Sequence, residues 1–272
     1  MTAAVERVVV ALDAVSEHGA AIGAAVRLAR RWQARLHGVF VEDDDLIRLA
    51  GLPFARQVTL GSGVEPLTRQ HAERQLRAFA ERARREVAAS AARHGIEWSF
   101  EIVRGDSAAG VGATGDFAVF AATSRPIGGH FRIRSRSWPT AAPGADSYLL
   151  AHREGDRQGR VAVLLNGSDA GAERLLAAAI RLAEADDARL TVICDPAVAR
   201  SAGFKQWLDR HLTGHAVETE LEPMPAEPAH LHRRVVELRC RVVAVGTTAG
   251  QADPDRLREL AATLSCDVLV VR

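Results

Sequence analysis

The sequence predicts an α/β protein made of two tandem doubly wound domains, each with a five-stranded parallel sheet. Runs of four to seven apolar residues occur without polar alternation, as in strands that are buried on both faces. Helical patterns of ten or more residues separate these runs, as in units where a helix connects two parallel strands. The second half of the 272-residue chain repeats the order of the first, which predicts two copies of one unit.

Matching strand and helix patterns mark the beginning of each copy. The runs RVVVALD at 7–13 and RVAVLLN at 160–166 each end in a polar residue and precede a helical pattern. A second apolar run then follows, ARLHGVFVED at 34–43 and ARLTVICD at 188–195. The charged stretch HREGDRQG at 152–159 lacks apolar periodicity and predicts the linker. We therefore place domain 1 at residues 1–155 and domain 2 at residues 156–272.

The later elements follow the same periodicities. In the first half we predict a helix at 69–94, with Leu76, Phe79, Ala80, Ala83 and Val87 on its buried face, and strands at 98–103, 117–122 and 147–151. In the second half we predict helices at 198–212, 228–238 and 254–264 and strands at 216–221, 241–246 and 267–271. Asp169 is the predicted N-cap of the helix that follows the first strand of this half.

The final strands, SYLLA at 147–151 and DVLVV at 267–271, are the predicted contact between the domains. Both are apolar, and each would be an exposed edge strand in an isolated domain. We expect them to pair within the chain. A homodimer and an unidentified protein partner are left open.

Composition and charge exclude several classes of function. Lys and Arg number 35 against 34 Asp and Glu, a formal net charge of +1, so nothing attracts the chain generally to nucleic acid or to an anionic membrane. No stretch approaches the roughly 18 consecutive apolar residues of a membrane span. The three cysteines cannot all pair, which favours a reducing compartment, and we expect a cytoplasmic protein.

Sequence motifs for covalent catalysis and for metal binding are missing. The chain has no G-x-S-x-G elbow, no G-x-x-x-x-G-K-[ST] loop and no G-x-G-x-x-G after its first strand, so no nucleophile can be named. The acidic run at 42–45 is expected to be a solvated helix start rather than a metal site. His211 and His215 have zinc-like spacing, but Gly214 lies between them and no third ligand is evident.

The order and spacing of five stretches resemble the universal stress proteins, the UspA-like family of the adenine-nucleotide α-hydrolase-like fold. These stretches are VVVALDAVSE at 8–17, GVFVEDDDLIRLAGLPF at 38–54, RGD at 104–106, VVAVGTT at 242–248 and CDVLVVR at 266–272. In nucleotide-binding members, the resemblance implies an acidic residue at the tip of the first strand that touches the adenosine. It also implies a G-x2-G-x9-G-[ST] stretch after the fourth strand that wraps the phosphates. Asp13 matches the acidic position, and Asn166 is its uncharged equivalent in the second half.

Neither half keeps the glycine pattern for the phosphates. After the fourth strand, the first half has TSRPIGGHFRIRSRSWPTAAPG at 123–144 and the second has GTTAGQADPDRL at 246–257. Glycines let backbone N–H groups approach phosphates, so a polyphosphate would here depend on side chains. In the first half the candidate ligand-binding residues are Asp13, Val41 through its backbone, Gly128, Gly129, Arg132, Arg134 and Arg136. Asp13 could equally be a polar strand end, and the arginines a solvated loop.

Three hypotheses for the function remain. The first is a non-catalytic, stress-associated regulatory or ligand-sensing protein with degenerate nucleotide sites. The second is an ATP- or AMP-binding protein that uses the first domain, with slow hydrolysis as an option. The third is an interaction module that acts through the apolar segment 46–58, which would fold back as a lid or dock a partner.

Overall fold

A computed structural model describes residues 5–14, 18–42, 44–59, 63–104, 116–122, 147–152, 159–225, 227–247 and 254–272. The first repeat contains β1 (Arg7–Leu12), α1 (His18–Trp32), β2 (Arg35–Glu42), α2 (Asp44–Ala50), β3 (Arg56–Thr59), β4 (Gly63–Pro66), α3 (Arg69–His94), β5 (Trp98–Arg104), β6 (Asp116–Ala121) and β7 (Ser147–Ala151). The second contains β8 (Arg160–Leu165), α4 (Ala170–Ala185), β9 (Leu190–Cys194), α5 (Pro196–Arg200), α6 (Ala202–Leu212), β10 (Thr219–Pro223), α7 (Pro228–Glu237), β11 (Cys240–Gly246), α8 (Pro254–Leu264) and β12 (Asp267–Val271).

Ten strands form one sheet in the order β10-β9-β8-β11-β12-β7-β6-β1-β2-β5. Each repeat contributes five strands, and the strands within a repeat are parallel. The two halves have the same order, in which the first strand of the repeat lies between the second and the fourth. The predicted pair of doubly wound five-stranded sheets is therefore confirmed, and the two sheets are joined into one. The predicted domain boundary lies outside the described residues.

The join between the repeats is the predicted pairing of the final strands. β7 and β12 are antiparallel, with Leu149 opposite Leu269 and Tyr148 opposite Val270. The main-chain N–H of His152 also donates to the Asp267 carboxylate over 2.8 Å. An antiparallel pair of equivalent strands relates the two halves by an approximate two-fold axis. Two apolar edges are removed from solvent in this way.

Helices cover both faces of the sheet in the described part of the chain. The largest apolar cluster lies between one face and α1, α3, α4 and α6, and it runs without a break through both repeats. On the other face, α7 and α8 cover the strands of the second repeat, and α8 also reaches the β7 side of the join. Almost every residue of the inner strands is buried, as expected for a sheet covered on two sides.

Local signals explain the ends of the helices. Thr68 caps α3 by accepting a hydrogen bond from the His71 N–H, and Gly95 ends it in the left-handed conformation at φ 64°. Asp169 caps α4 as predicted, because its carboxylate accepts the Ala172 N–H.

Three predicted elements differ from the structure. The strand predicted at 216–221 is β10, which runs from Thr219 to Pro223. The helix predicted at 198–212 is two helices, α5 and α6, because Ser201 interrupts it with an extended backbone and caps α6. Phe79 was predicted to be buried but is 40% exposed, because α3 buries a stripe of alanines, Leu76 and Val87 instead.

Candidate functional site

A crevice lies at the carboxyl ends of β8, β11 and β12, beside the N-terminus of α4. Its volume is about 630 Å³. β8 has β9 as its neighbour on one side and β11 on the other. The connection from β8 to β9 and the later connection to β11 therefore run in opposite directions, and the strand order reverses between β8 and β11. Doubly wound α/β proteins bind ligands at such a reversal, outside the carboxyl ends of the strands.

The walls of the crevice combine apolar side chains with hydrogen-bonding groups. Leu164, Leu175 and Val245 supply apolar surface that a planar ring can pack against. Asn166 follows β8 directly and is exposed at the crevice, where its amide can both donate and accept hydrogen bonds. Both kinds of surface are needed to hold an aromatic ring with polar edges.

The charges at the crevice favour an anion. Arg174 and Arg272 both line it, and the Arg174 Nε donates to the main-chain oxygen of Arg272 over 3.0 Å. The first turn of α4 also borders the crevice, and a helix N-terminus carries partial positive charge. The Asp169 carboxylate opposes this charge, although it is engaged with the Ala172 N–H at 2.8 Å. The Arg272 guanidinium also lies over the Tyr148 ring, 5.7 Å from its centroid, so Arg174 and the helix N-terminus are the main groups that favour an anion in the crevice.

The strand register shows how the equivalent place in the first repeat differs. Gly246 lies opposite Val271 in the second repeat, and Ala121 lies opposite Ala151 in the first. A methyl group on Gly246 would lie 3.5 Å from Leu175 Cδ2, in ordinary contact, and would point into space that the glycine leaves to the crevice. The second repeat therefore has more room at the carboxyl end of its fourth strand than a copy with alanine there.

The predicted site residues of the first repeat are described only in part. Asp13 lies at the carboxyl end of β1 and is 9% exposed, and its main-chain oxygen lies 2.6 Å from the His18 Nε2. Val41 is buried in β2, so its side chain belongs to the core and only its backbone could serve a ligand. The other predicted binding residues lie outside the described residues: Gly128, Gly129, Arg132, Arg134 and Arg136.

The acidic run at 42–45 is not simply a solvated helix start. Glu42 is 6% exposed at the end of β2, where it accepts hydrogen bonds from the Arg104 Nε at 3.0 Å and Nη2 at 2.9 Å. These contacts raise the pKa of Arg104, mainly through the hydrogen bond to Glu42. The expectation of solvation is wrong for Glu42, because a carboxylate that is paired by a two-pronged guanidinium contact can be buried. Asp44 begins α2 as predicted.

Neither a cluster of metal-ligating side chains nor a membrane-spanning helix is found in the part of the chain that the structure describes. No group of three or more His, Cys, Asp or Glu side chains converges there in a way that could hold a metal ion. None of the helices described combines the length and the apolar character needed to cross a bilayer.

Sequence reasoning placed its candidate site in the first repeat and missed the crevice of the second. The signal that could have found it is the N-G-S-D stretch after β8, where a polar residue, a glycine and a helix cap follow a buried strand. Position 166 is Asn where the first repeat has Asp13, so the acidic residue that the family resemblance implies occurs only in the first repeat.

The strand order and the crevice together define a two-repeat, doubly wound α/β protein with a crevice at the point where the strand order reverses. Similar solved structures make this more specific. A universal stress protein from Archaeoglobus fulgidus DSM 4304 superposes with a TM-score of 0.61 at 9% identity, over 97% of this chain and 96% of that one. A functionally unknown protein from Pseudomonas aeruginosa PAO1 superposes with a TM-score of 0.56 at 16% identity, over 98% of this chain and 92% of that one.

These similarities confirm the predicted tandem UspA-like fold: the chain has the fold of the universal stress proteins. No family model and no curated protein matches the sequence. At identities of 9% and 16%, the similarity shows the fold alone.

Proposed function

We propose that this protein is a stress-associated regulatory protein that senses a small anionic ligand in the crevice of its second repeat, without transforming that ligand. The stress association comes from the fold that the chain shares with a universal stress protein. The observation that carries the ligand site is the 630 Å³ crevice at the carboxyl ends of β8, β11 and β12.

A nucleoside monophosphate fits the chemistry of the crevice best. The apolar side chains of Leu164, Leu175 and Val245 offer a surface for a base, and the Asn166 amide can pair with the polar edge of a base or a sugar. Arg174 and Arg272 can neutralise one phosphate. A triphosphate would need further donors, and the sequence after β11 lacks the glycine pattern that would bring backbone N–H groups to it.

The two repeats provide a matched pair of variants for the test. Asn166 and Asp13 each follow the first strand of their repeat. We expect isothermal titration to show AMP binding tighter than ATP binding, with Asn166→Ala and Arg174→Gln weakening it and Asp13→Ala leaving it unchanged. Removal of one hydrogen bond to a charged or polar ligand group costs about 1–3 kcal/mol, or roughly five- to 150-fold in affinity.

Two results would contradict the proposal. No heat with AMP or ATP at millimolar concentration would remove nucleotide sensing altogether. If Asp13→Ala lost AMP binding and Asn166→Ala kept it, the site would lie in the first repeat. The ATP- or AMP-binding hypothesis based on Asp13 and the arginines at 132–136 would then replace it.

A second candidate function is supported by the surface of α2 and the β3–β4 hairpin. Ile47 is buried, but Leu49, Leu52 and Phe54 are exposed by 47%, 41% and 73%, so these three side chains do not fold back on the sheet as a lid. We propose a second copy of this chain as the occupant of this apolar surface, because a formal net charge of +1 gives two copies little mutual repulsion and each would cover the other's exposed apolar side chains. Leu49→Ser combined with Phe54→Ser should shift the chain to monomer in sedimentation velocity without a loss of thermal stability. An unchanged sedimentation coefficient would reject this surface.

A further inference from the structure

A histidine, a serine and a glutamate meet on the outer strands of the first repeat, away from the crevice. His37 on β2 lies opposite Ser99 on β5, and Glu101 is two residues further along β5 on the same face. The His37 Nδ1 lies 2.7 Å from the Ser99 Oγ, and its Nε2 lies 3.2 Å from the Glu101 Oε1. One imidazole thus joins a hydroxyl group to a carboxylate through its two ring nitrogens.

The carboxylate determines which nitrogen carries the proton. An ionised carboxylate can only accept, so the Nε2 of His37 must be the donor toward Glu101. In neutral imidazole the Nδ1 is then an acceptor, and the Ser99 hydroxyl must donate its proton to it. This is the arrangement in which a positioned base can remove the proton of a serine nucleophile.

Exposure differs among the three residues in the way that such chemistry requires. The His37 side chain is 11% exposed, so the imidazole is shielded and held by its two partners. Ser99 is exposed, and the Glu101 side chain is 48% exposed, so a substrate can reach the serine. β5 is the outermost strand of the described sheet, and half of the N–H groups of an edge strand point away from its neighbour. Such N–H groups can stabilise an oxyanion that forms beside Ser99.

The second repeat shows that the fold does not require this arrangement. The register gives Thr191, Glu220 and Glu222 at the positions of His37, Ser99 and Glu101. Glu220 forms an ion pair with Arg160, and Glu222 forms one with Arg234. The same strands are therefore stable with an ordinary set of ion pairs, and the histidine with its two partners is particular to the first repeat.

We propose that Ser99 is an acyl-accepting nucleophile activated by His37, with Glu101 as the positioning residue, and that activated esters are its substrates. A bond forms between the Ser99 Oγ and the ester carbonyl carbon as the ester C–O bond breaks. The Oγ proton passes to the His37 Nδ1 and from there to the leaving alcohol oxygen. Water then attacks the acyl-serine with the same base, which releases the carboxylic acid and restores Ser99.

The test uses the full chain with p-nitrophenyl acetate and a fluorophosphonate probe, followed by peptide mass spectrometry. Phosphonylation forms an Oγ–P bond as fluoride leaves, and it marks the reacting serine. Ser90 is the internal reference, because it lies on α3 and its Oγ accepts from the Arg93 Nη2 at 3.1 Å, a guanidinium that cannot act as a base. A general base contributes about 10²- to 10⁴-fold, so we expect Ser99 to be labelled at least 100-fold faster than Ser90.

Variants assign the roles of the three residues. Ser99→Ala should abolish labelling and ester turnover, and His37→Gln should reduce both to the level of Ser90, while Ser90→Ala should leave them unchanged. Glu101→Gln should lower kcat with little change in KM and alter the pH profile. The Gln oxygen can accept a hydrogen bond from the His37 Nε2–H, but the Gln amide nitrogen can also donate to an unprotonated Nε2, which favours the wrong tautomer. Glu101→Asp should restore part of the activity, which a merely structural role would not predict.

Two outcomes would overturn the proposal. The first is equal labelling of Ser99 and Ser90 in the unmodified chain, which needs no variant and does not depend on the folding of one. The second is undiminished labelling of Ser99 in a folded His37→Gln protein, since the imidazole would then play no part.

Discussion

Gly38→Ala tests whether the close approach of the Phe100 ring to Gly38 is needed for β5 to pair with β2. Gly38 lies opposite Phe100, and a Cβ at position 38 would meet the Phe100 ring at 2.7 Å from Cδ2 and 3.2 Å from Cε2. Val87 on α3 is 3.5 Å away on the same side and limits the escape of the methyl group. Overpacking of this kind costs about 1–3 kcal/mol. At roughly 2–4 °C per kcal/mol for a chain of this size, the Tm should fall by about 2–12 °C.

Gly23→Ala is the matched control for this substitution. Gly23 is inside α1, and the nearest atom to an added Cβ is the Arg27 Nη1 at 3.7 Å, so the methyl group has room. Alanine in a helix interior is favoured over glycine by roughly 0.5–1 kcal/mol. Urea denaturation should therefore show opposite signs for the same chemical change. Equal effects at positions 23 and 38, or no effect at 38, would show that Phe100 does not depend on the glycine.

Three further predictions concern the ligand, pH and the join. Asp169→Asn keeps a good N-cap and removes a carboxylate from the crevice, so AMP should bind roughly two- to fivefold tighter in calorimetry, and weaker binding would contradict a cationic site. Burial raises the pKa of the Cys240 thiol from 9.0 to about 11, so its stabilisation is complete below about pH 9 and is lost as the pH rises toward 11. Urea denaturation of Cys240→Ala should show a flatter decline over that interval, and an identical decline would assign it to other groups. A fragment of residues 159–272 exposes β12 and should self-associate in sedimentation velocity, whereas a stable monomer would mean that β7 is not needed to cover this edge.

The sequence predicts the elements well where a single periodicity dominates. The long helix predicted at 69–94 and the final strands at 147–151 and 267–271 match the structure at both ends. Pairing of the final strands could be predicted because two apolar edges of equal length need a partner. The prediction for Phe79 is wrong because α3 contains many alanines. A helix of this kind packs closely along its alanine stripe, and the large side chain beside that stripe stays exposed to solvent.

The candidate sites were harder to predict, because they depend on residues that are distant in sequence. His37 and Ser99 are separated by 62 positions, and only the register of β2 and β5 brings them to 2.7 Å. No spacing motif encodes a contact of this kind. The crevice depends similarly on Gly246, the last residue of β11, and Asn166, which directly follows the neighbouring strand β8. A sequence pattern gives the end of each strand, but the strand order decides which ends meet.

Joining two copies in one chain removes the constraint that a homodimer places on its sites. In a symmetric dimer every substitution appears in both subunits, so the position of Gly246 could not be glycine in one copy and alanine in the other. Here the equivalent positions have diverged: the second repeat has the glycine and a crevice, while the first has Ala121 and, on its outer strands, the His37–Ser99 contact. The two proposed sites lie in different repeats, which share one sheet through the β7–β12 pairing, so we expect that either site can change without loss of the other. Ligand titration of Ser99→Ala and probe labelling of Asn166→Ala should therefore each match the unmodified chain. Reduced AMP affinity in the first variant would show that the two repeats are coupled.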